Sequence, residues 1–289
     1  MGAVGALVRA RWTHLLGDPG AIHTAYSLES ALDELVFVVG PVVATLLATT
    51  VAPTAGLGVP TLALLVGGML LFGQRSTEPP VARHEPGVRH PHMLRSGGMV
   101  VLAVVFVGMG AIFGATDVST VAFAEEQGAK STAGSVLAVF ALGSMLSGLG
   151  YGSRHWLSPL WRRFAIWVVA LAAGVSLFFL VTSLPMLAAV MFVTGFSIAP
   201  TLVNGNGLVQ ELVTRDQLTE GLTWVGTALG VGVSIGASVA GAAIDRVGSH
   251  GGFLVVGGAA DLAVVATFAS LRTLRAGARP TGPEDPSHA

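Results

Sequence analysis

Acidic side chains inside long apolar stretches are the most chemically informative residues of this chain. An ionised carboxylate in mid-bilayer costs roughly 2.5–3.5 kcal/mol, so each such acid needs a specific role. Asp117 lies beyond the centre of the stretch 98–123, on the face that carries Gly110 and Gly114. This face is typical of close helix packing or of a cavity. Two interpretations remain open for Asp117: a proton acceptor or substrate contact, and a buried, hydrogen-bonded structural acid.

Four further acids lie in apolar stretches. Glu29 and Asp33 share one helical face at the start of the first long stretch, where they repel each other unless cations or a bound proton compensate. The alternative for both is a solvated helix start. Glu34 lies deeper, which favours proton coupling or a gate as much as a structural role. Asp261 is predicted to be structural, hydrogen-bonded to a neighbouring helix.

Amide side chains follow a proline in a later stretch. Asn204, Asn206 and Gln210 come after Pro200, which has no backbone N–H and is expected to kink the helix. A kink beside polar side chains predicts a gate.

A polar stripe begins the next stretch. Glu220, Thr223, Trp224 and Thr227 recur at helical spacing and therefore share one face. The stripe is consistent with a gate, and equally with an interfacial Trp anchor and hydrogen bonds between helices.

Closely spaced glycines fill the same stretch, where they form overlapping small-xxx-small pairs. Such pairs predict close helix packing with a surface that can slide. The glycines are Gly226, Gly230, Gly232, Gly236 and Gly241. A nucleotide-binding loop at Gly230 is not expected, because no strand precedes it.

The amino-acid composition is typical of a protein that folds in a lipid bilayer. Apolar residues make up 52% of the 289-residue chain and charged residues only 11%, against about a quarter charged in soluble domains. The absence of Cys excludes disulfides and thiolate sites, and a net charge of −1 argues against a nucleic-acid partner. We expect no metal and no cofactor, since His84, His90 and His92 lie in a linker that preorganises nothing. No catalytic constellation is present, so we predict no enzyme.

Eight apolar windows are long enough to cross a bilayer. The prediction is an all-α integral membrane protein, a polytopic bundle of about eight transmembrane helices at 28–52, 57–73, 98–123, 132–152, 164–183, 185–212, 218–243 and 251–271.

Basic residues give the bundle an orientation. The gaps on one side of the predicted topology hold only Lys130 and Arg246. The other thirteen cations share the side of both termini: Arg9, Arg11, Arg75, Arg83, Arg89, Arg95, Arg154, Arg162, Arg163, Arg215, Arg272, Arg275 and Arg279. The positive-inside rule therefore predicts a multi-pass cell-membrane protein with both termini in the cytoplasm.

The chain divides into four parts. Two spans occupy residues 1–73, and a Pro-, Arg- and His-rich cytoplasmic linker follows at 74–97. A six-helix bundle occupies 98–272, and a disordered cytoplasmic tail is predicted for 273–289.

This layout resembles the second half of a major facilitator superfamily transporter, preceded by its fifth and sixth helices. Gly40 and Pro41 are similar to the Gly-Pro element in helix five of the family's drug-proton antiporters. The segment 148–163 resembles the family's Gly- and Arg-rich loop, and 220–248 resembles its helix eleven. Nothing in the chain matches the first four helices, so residues 1–73 are expected to be the remnant of an N-terminal bundle.

The resemblance implies a secondary active transporter that works by alternating access, with proton-coupled efflux as the finer expectation. It places Asp117 on the cavity-lining seventh helix. With no Lys in any span, a neutral or cationic amphiphile is favoured over an anionic substrate. The alternative is a truncated, non-transporting remnant or an interaction subunit. An intramembrane lipid-modifying enzyme is disfavoured, because the histidines lie in loops and tails.

Overall fold

The fold is built from helices that follow the predicted apolar windows. This computed structural model describes residues 2–17, 54–78, 96–152, 158–213 and 217–277, with Trp156 and isolated positions between 21 and 52. The helices of these ranges are α1 (Gly2–Leu15), α2 (Ala55–Gly73), α3 (Gly97–Glu126), α4 (Ala133–Gly152), α5 (Leu160–Ser176), α6 (Leu184–Gly195), α7 (Ile198–Leu212), α8 (Leu218–Val247), α9 (Ser249–Ala269) and α10 (Leu271–Gly277).

The predicted polytopic helical bundle is confirmed. In the part of the chain that the structure describes, seven helical segments are long and apolar enough to cross a membrane, and they correspond to the second to eighth predicted spans. One of them, Leu184–Leu212, contains both α6 and α7. The first predicted span, 28–52, is described only at scattered positions, most of them helical.

The two ends of the predicted bundle differ slightly from expectation. The predicted linker 74–97 begins with a short 3-10 turn, Arg75–Thr77, and 79–95 lie outside the described residues. Helix α10 extends to Gly277, so residues 273–277 of the predicted tail are helical.

Helix α3 lies at the centre of the bundle. It packs against α8 on one side and α9 on another, while α5 contacts α9 and α7, and α4 pairs with α6. More than half of the residues of α3 are buried, as expected of an apolar helix with several neighbours. Large buried side chains fill the core between these helices, among them Phe123, Phe164, Phe178 and Phe253.

Glycines set the distance between α3 and α8. Two from each helix line the contact: Gly110, Gly114, Gly232 and Gly236. A Cβ on any of them would lie only 2.0 to 2.2 Å from a backbone carbonyl oxygen of the other helix. The two backbones therefore touch directly, which is the packing that small residues permit in membranes.

The predicted glycine set divides between two faces of α8. Gly232 and Gly236 lie in the contact with α3, whereas a Cβ on Gly230 or Gly241 would meet nothing within 4 Å. The structure thus places Gly230 outside the close packing that its spacing predicted. The reason is helical geometry, because a residue two positions from Gly232 points well away from it.

A second pair of glycines joins α4 to α6. A Cβ on Gly143 would lie 2.3 Å from Phe192 O, and one on Gly195 would lie 2.4 Å from Phe140 O. Each glycine thus accommodates the other helix's backbone.

Helix α2 makes few contacts by comparison. Gly56 is its one buried residue, and its leucines are largely exposed. Its C-terminal end is held by Arg11 of α1, whose Nη1 donates to Leu71 O at 2.7 Å. The same carbonyl also accepts from Gln74 N at 3.2 Å, so Arg11 adds a second donor at this helix end.

Candidate functional site

Asp117 lies on an exposed side of α3, a helix whose other residues are mostly buried. No described residue donates a hydrogen bond to its carboxylate. Asp261 is also exposed, on α9, and the structure gives it no hydrogen bond to another described residue, in contrast to the structural role predicted for it. The difference lies in the surroundings, since Asp261 shares its face with exposed Leu262 and Val265.

Buried hydroxyls accompany Asp117 along α3. Ser119 Oγ donates to Ala115 O at 2.6 Å, and Thr120 Oγ1 donates to Thr116 O at 2.7 Å. The Thr116 hydroxyl is buried and has no hydrogen-bond partner among the described residues. An unpaired buried hydroxyl of this kind carries a desolvation cost.

A polar network joins the ends of α4, α5 and α7. Asn204 is fully buried on α7, and its Nδ2 donates to Pro200 O at 2.6 Å. Tyr151 of α4 donates its hydroxyl to Asn204 Oδ1 at 2.9 Å. Arg163 of α5 donates from Nη1 to the same Tyr151 oxygen at 3.2 Å. Three helices are therefore connected through one side chain, Tyr151.

Two tryptophans enclose Tyr151. Trp156 stacks on its ring with centroids 4.6 Å apart, and Trp156 Nε1 donates to Tyr151 O at 3.0 Å. Trp167 meets the same ring edge-on at 5.9 Å. Sequence reasoning missed Tyr151, although one signal was available: the chain has only two tyrosines.

The other predicted amides do not join this network. Asn206 is half-buried and Gln210 is exposed, while Asn204 faces the protein interior. Asn206 and Gln210 are four positions apart and share a face of α7, whereas Asn204 points to another side of the helix. Only one of the three therefore lies among the buried polar groups that the structure describes.

The region of Pro200 contains a break in the helix. Between α6 and α7 the regular α-helical hydrogen bonding is interrupted at Phe196 and Ser197, which form a turn although both residues keep right-handed helical dihedral angles. Pro200 lacks the N–H that would bond to Phe196 O one turn earlier. Ser147 Oγ of α4 donates to that oxygen instead, at 2.6 Å. A side chain of a neighbouring helix thus satisfies the carbonyl that the proline leaves without a donor.

The polar stripe of α8 is satisfied mainly within its own helix. Trp224 Nε1 lies 3.4 Å from Glu220 Oε1, and Thr223 Oγ1 donates to Thr219 O at 2.7 Å. Glu220, Trp224 and Thr227 are exposed. This arrangement fits either interpretation of the stripe.

Several predicted residues fall where little or nothing is described. Asp33, Glu34 and Pro41 lie outside the described residues, as do His84, His90 and His92. Gly40 is half-buried, with nothing within 4 Å of a Cβ placed on it. Over the described ranges, no three His, Asp or Glu side chains come together as metal ligands would.

Comparison with known families gives a match over the second half of the chain. Residues 156–288, from just before α5 onward, match the family model described as Major Facilitator Superfamily. A search of curated proteins found no match to the chain.

Proposed function

We propose that this chain, whose residues 156–288 match the Major Facilitator Superfamily model, is a membrane transporter of that family, which moves a small molecule by alternating access with Asp117 as the coupling carboxylate. The transporter class follows from the family. The role of Asp117, the coupling to protons and the direction of transport are further parts of the proposal.

The proposal rests on the exposed, unpaired carboxylate of Asp117 together with the resemblance that places its helix beside the central cavity. A structural acid in a transmembrane helix is expected to be buried and hydrogen-bonded, because the bilayer offers it no other partner. Asp117 has neither property among the described residues. A cationic substrate or a proton supplies the partner that the Asp117 carboxylate lacks.

The packing around α3 suggests how the site responds to its occupant. Alternating access requires stiff elements that move as units and a place where the chain yields. The backbone contact between α3 and α8 supports the first requirement. The break at Phe196 and Ser197 supports the requirement for a place where the chain yields. We propose Tyr151 and Asn204, near this break, as the gate.

Contacts between the loops support the predicted topology. At one end of the bundle Arg275 lies over Trp161, and both belong to segments assigned to the cytoplasm. At the other end Ser249 N donates to Glu126 Oε1 at 2.6 Å, and these residues belong to the opposite set of loops. The proposed location is the cell membrane, with both termini cytoplasmic.

The direction we propose is proton-driven efflux of a cationic or neutral amphiphile. It rests on the resemblance of Gly40 and Pro41 to the antiporter element and on the absence of Lys from the spans. The fixed carboxylate of Asp117 suits exchange of a cation for a proton.

The test uses the purified chain in liposomes, with ethidium as a cationic amphiphilic probe and an imposed pH gradient. We expect Asp117→Asn to abolish the gradient-driven movement of ethidium. Asp261→Asn is the matched control, because it makes the same change at another exposed acid within a span, and it should transport as wild type does.

Two outcomes would contradict the proposal in different ways. If Asp117→Asn moves ethidium as wild type does at every pH, the coupling role is wrong. If wild type moves neither ethidium nor protons, the non-transporting remnant or interaction subunit becomes the better interpretation.

A further inference from the structure

A basic, aromatic surface lies where α5 begins and α10 follows α9. Arg275 Cζ lies 5.8 Å from the centroid of the Trp161 ring, which joins α10 to α5. Arg162 and Arg272 are exposed beside these two residues in the chain. We call these four residues, Trp161, Arg162, Arg272 and Arg275, the Trp161 surface.

The positive charge of the Trp161 surface is not neutralised by its own helices. Neither α5 nor α10 contains an acidic residue. Arg272 and Arg275 are three positions apart on α10, so they share a face. Guanidinium groups so placed fit the oxygen atoms of a phosphate, which they bind in a bidentate manner.

Exposed apolar residues lie on α5 after Arg162 and on α9 before Arg272. On α5, Ile166 and Val169 follow Arg162 on the same exposed face. On α9, the exposed Val265 and Phe268 lie in the last turns before Arg272. Since α5 and α9 pack side by side, these apolar faces run beneath the arginines.

We propose that the Trp161 surface binds the headgroup of an anionic phospholipid, whose acyl chains lie along the exposed faces of α5 and α9. A Trp ring at the end of a span is typical of the membrane interface. Clusters of arginine there attract anionic lipids. A free phosphate would use the arginines alone, whereas a lipid also uses the apolar faces. The proposal does not depend on what the protein transports.

The test measures lipid binding by native mass spectrometry of the chain purified in a neutral detergent. Dioctanoyl phosphatidylglycerol is the probe, with dioctanoyl phosphatidylcholine and glycerol phosphate as comparison ligands. We expect phosphatidylglycerol to bind more tightly than either. The double variant Arg272→Gln with Arg275→Gln should lose roughly 25-fold in affinity, about fivefold for each arginine.

Arg246→Gln is the matched control. Arg246 is exposed at the C-terminal end of α8, on the opposite side of the predicted membrane from the Trp161 surface, so its substitution should leave lipid binding unchanged. Should the double variant fail to fold, Arg162→Gln alone is expected to weaken binding about fivefold. Equal binding of phosphatidylcholine, equal binding of glycerol phosphate, or unchanged affinity in the arginine variants would each overturn the proposal.

Discussion

Helices α2 and α3 are both strongly apolar, yet they occupy opposite environments. In α3, 17 residues are buried, whereas in α2 only Gly56 is. Both helices have a high mean hydropathy, which identifies each of them as a candidate membrane span. It does not determine what a span faces.

The comparison also shows what glycine alone cannot do. Helix α2 contains Gly58, Gly67 and Gly68, and a Cβ on any of them would meet nothing within 4 Å. In α3, Gly110 and Gly114 meet the backbone of α8 because that helix presents glycines in return. Close packing therefore depends on two matched stripes, and a single stripe does not specify it.

The largest expected effect comes from adding one methyl group to a glycine of α3 that contacts α8. The same change at an open glycine of α2 serves as the control. Gly110→Ala places a Cβ 2.0 Å from Leu229 O, so α3 and α8 must separate. We expect a loss of about 3 kcal/mol or more in the free energy of unfolding, since overpacking outweighs the ~1 kcal/mol that alanine gains in helix propensity. Unfolding in mixed detergent and SDS micelles measures this.

Gly68→Ala on α2 is the matched control. It makes the same change in open space, so the free energy of unfolding should stay equal or rise by up to about 1 kcal/mol. Equal destabilisation by Gly110→Ala and Gly68→Ala would remove the distinction between the two helices.

The second prediction asks whether the packed region depends on its polar groups as well as on its glycines. Asn204→Ala removes a fully buried amide and leaves Tyr151 without its acceptor. We expect a loss of about 1–3 kcal/mol in the free energy of unfolding. Asn206→Ala, on the same helix but half-buried, should cost less than about 0.5 kcal/mol. If both variants lose the same amount, the network adds nothing to stability.

The positions of these residues indicate how far the sequence can predict such a protein. Apolar windows and basic gaps predicted the spans, because the cost of exposing backbone or charge to lipid applies to every residue alike. The grouping of Asn204 with Asn206 and Gln210 was not confirmed by the structure, since the rotation of α7 separates them. Tyr151 and Ser147 were missed because their partners, Asn204 and Phe196, lie some 50 positions further along the chain.

A third, smaller effect concerns the break that Pro200 introduces. Ser147→Ala leaves Phe196 O without its donor and should cost about 1 kcal/mol of the free energy of unfolding. Pro200→Ala restores a backbone N–H one turn beyond that oxygen. In the Pro200→Ala background, Ser147→Ala should therefore cost less of the free energy of unfolding than it does in the wild type. A double-mutant cycle on the free energy of unfolding measures the coupling, and strict additivity would show that the two groups do not share the carbonyl.

The last prediction involves no change in stability and separates two meanings of exposure. Because the chain has no Cys, single cysteines can be introduced at Asp117, Val104 and Leu65 and treated with a water-soluble maleimide. All three positions are exposed in the structure. Thiolates form only in contact with water, so a cysteine in a water-filled cavity reacts while one facing lipid does not. We expect labelling at 117 and none at 104 or 65. If 117 stays unlabelled, its side of α3 faces lipid as α2 does, and the exposed carboxylate loses its proposed function.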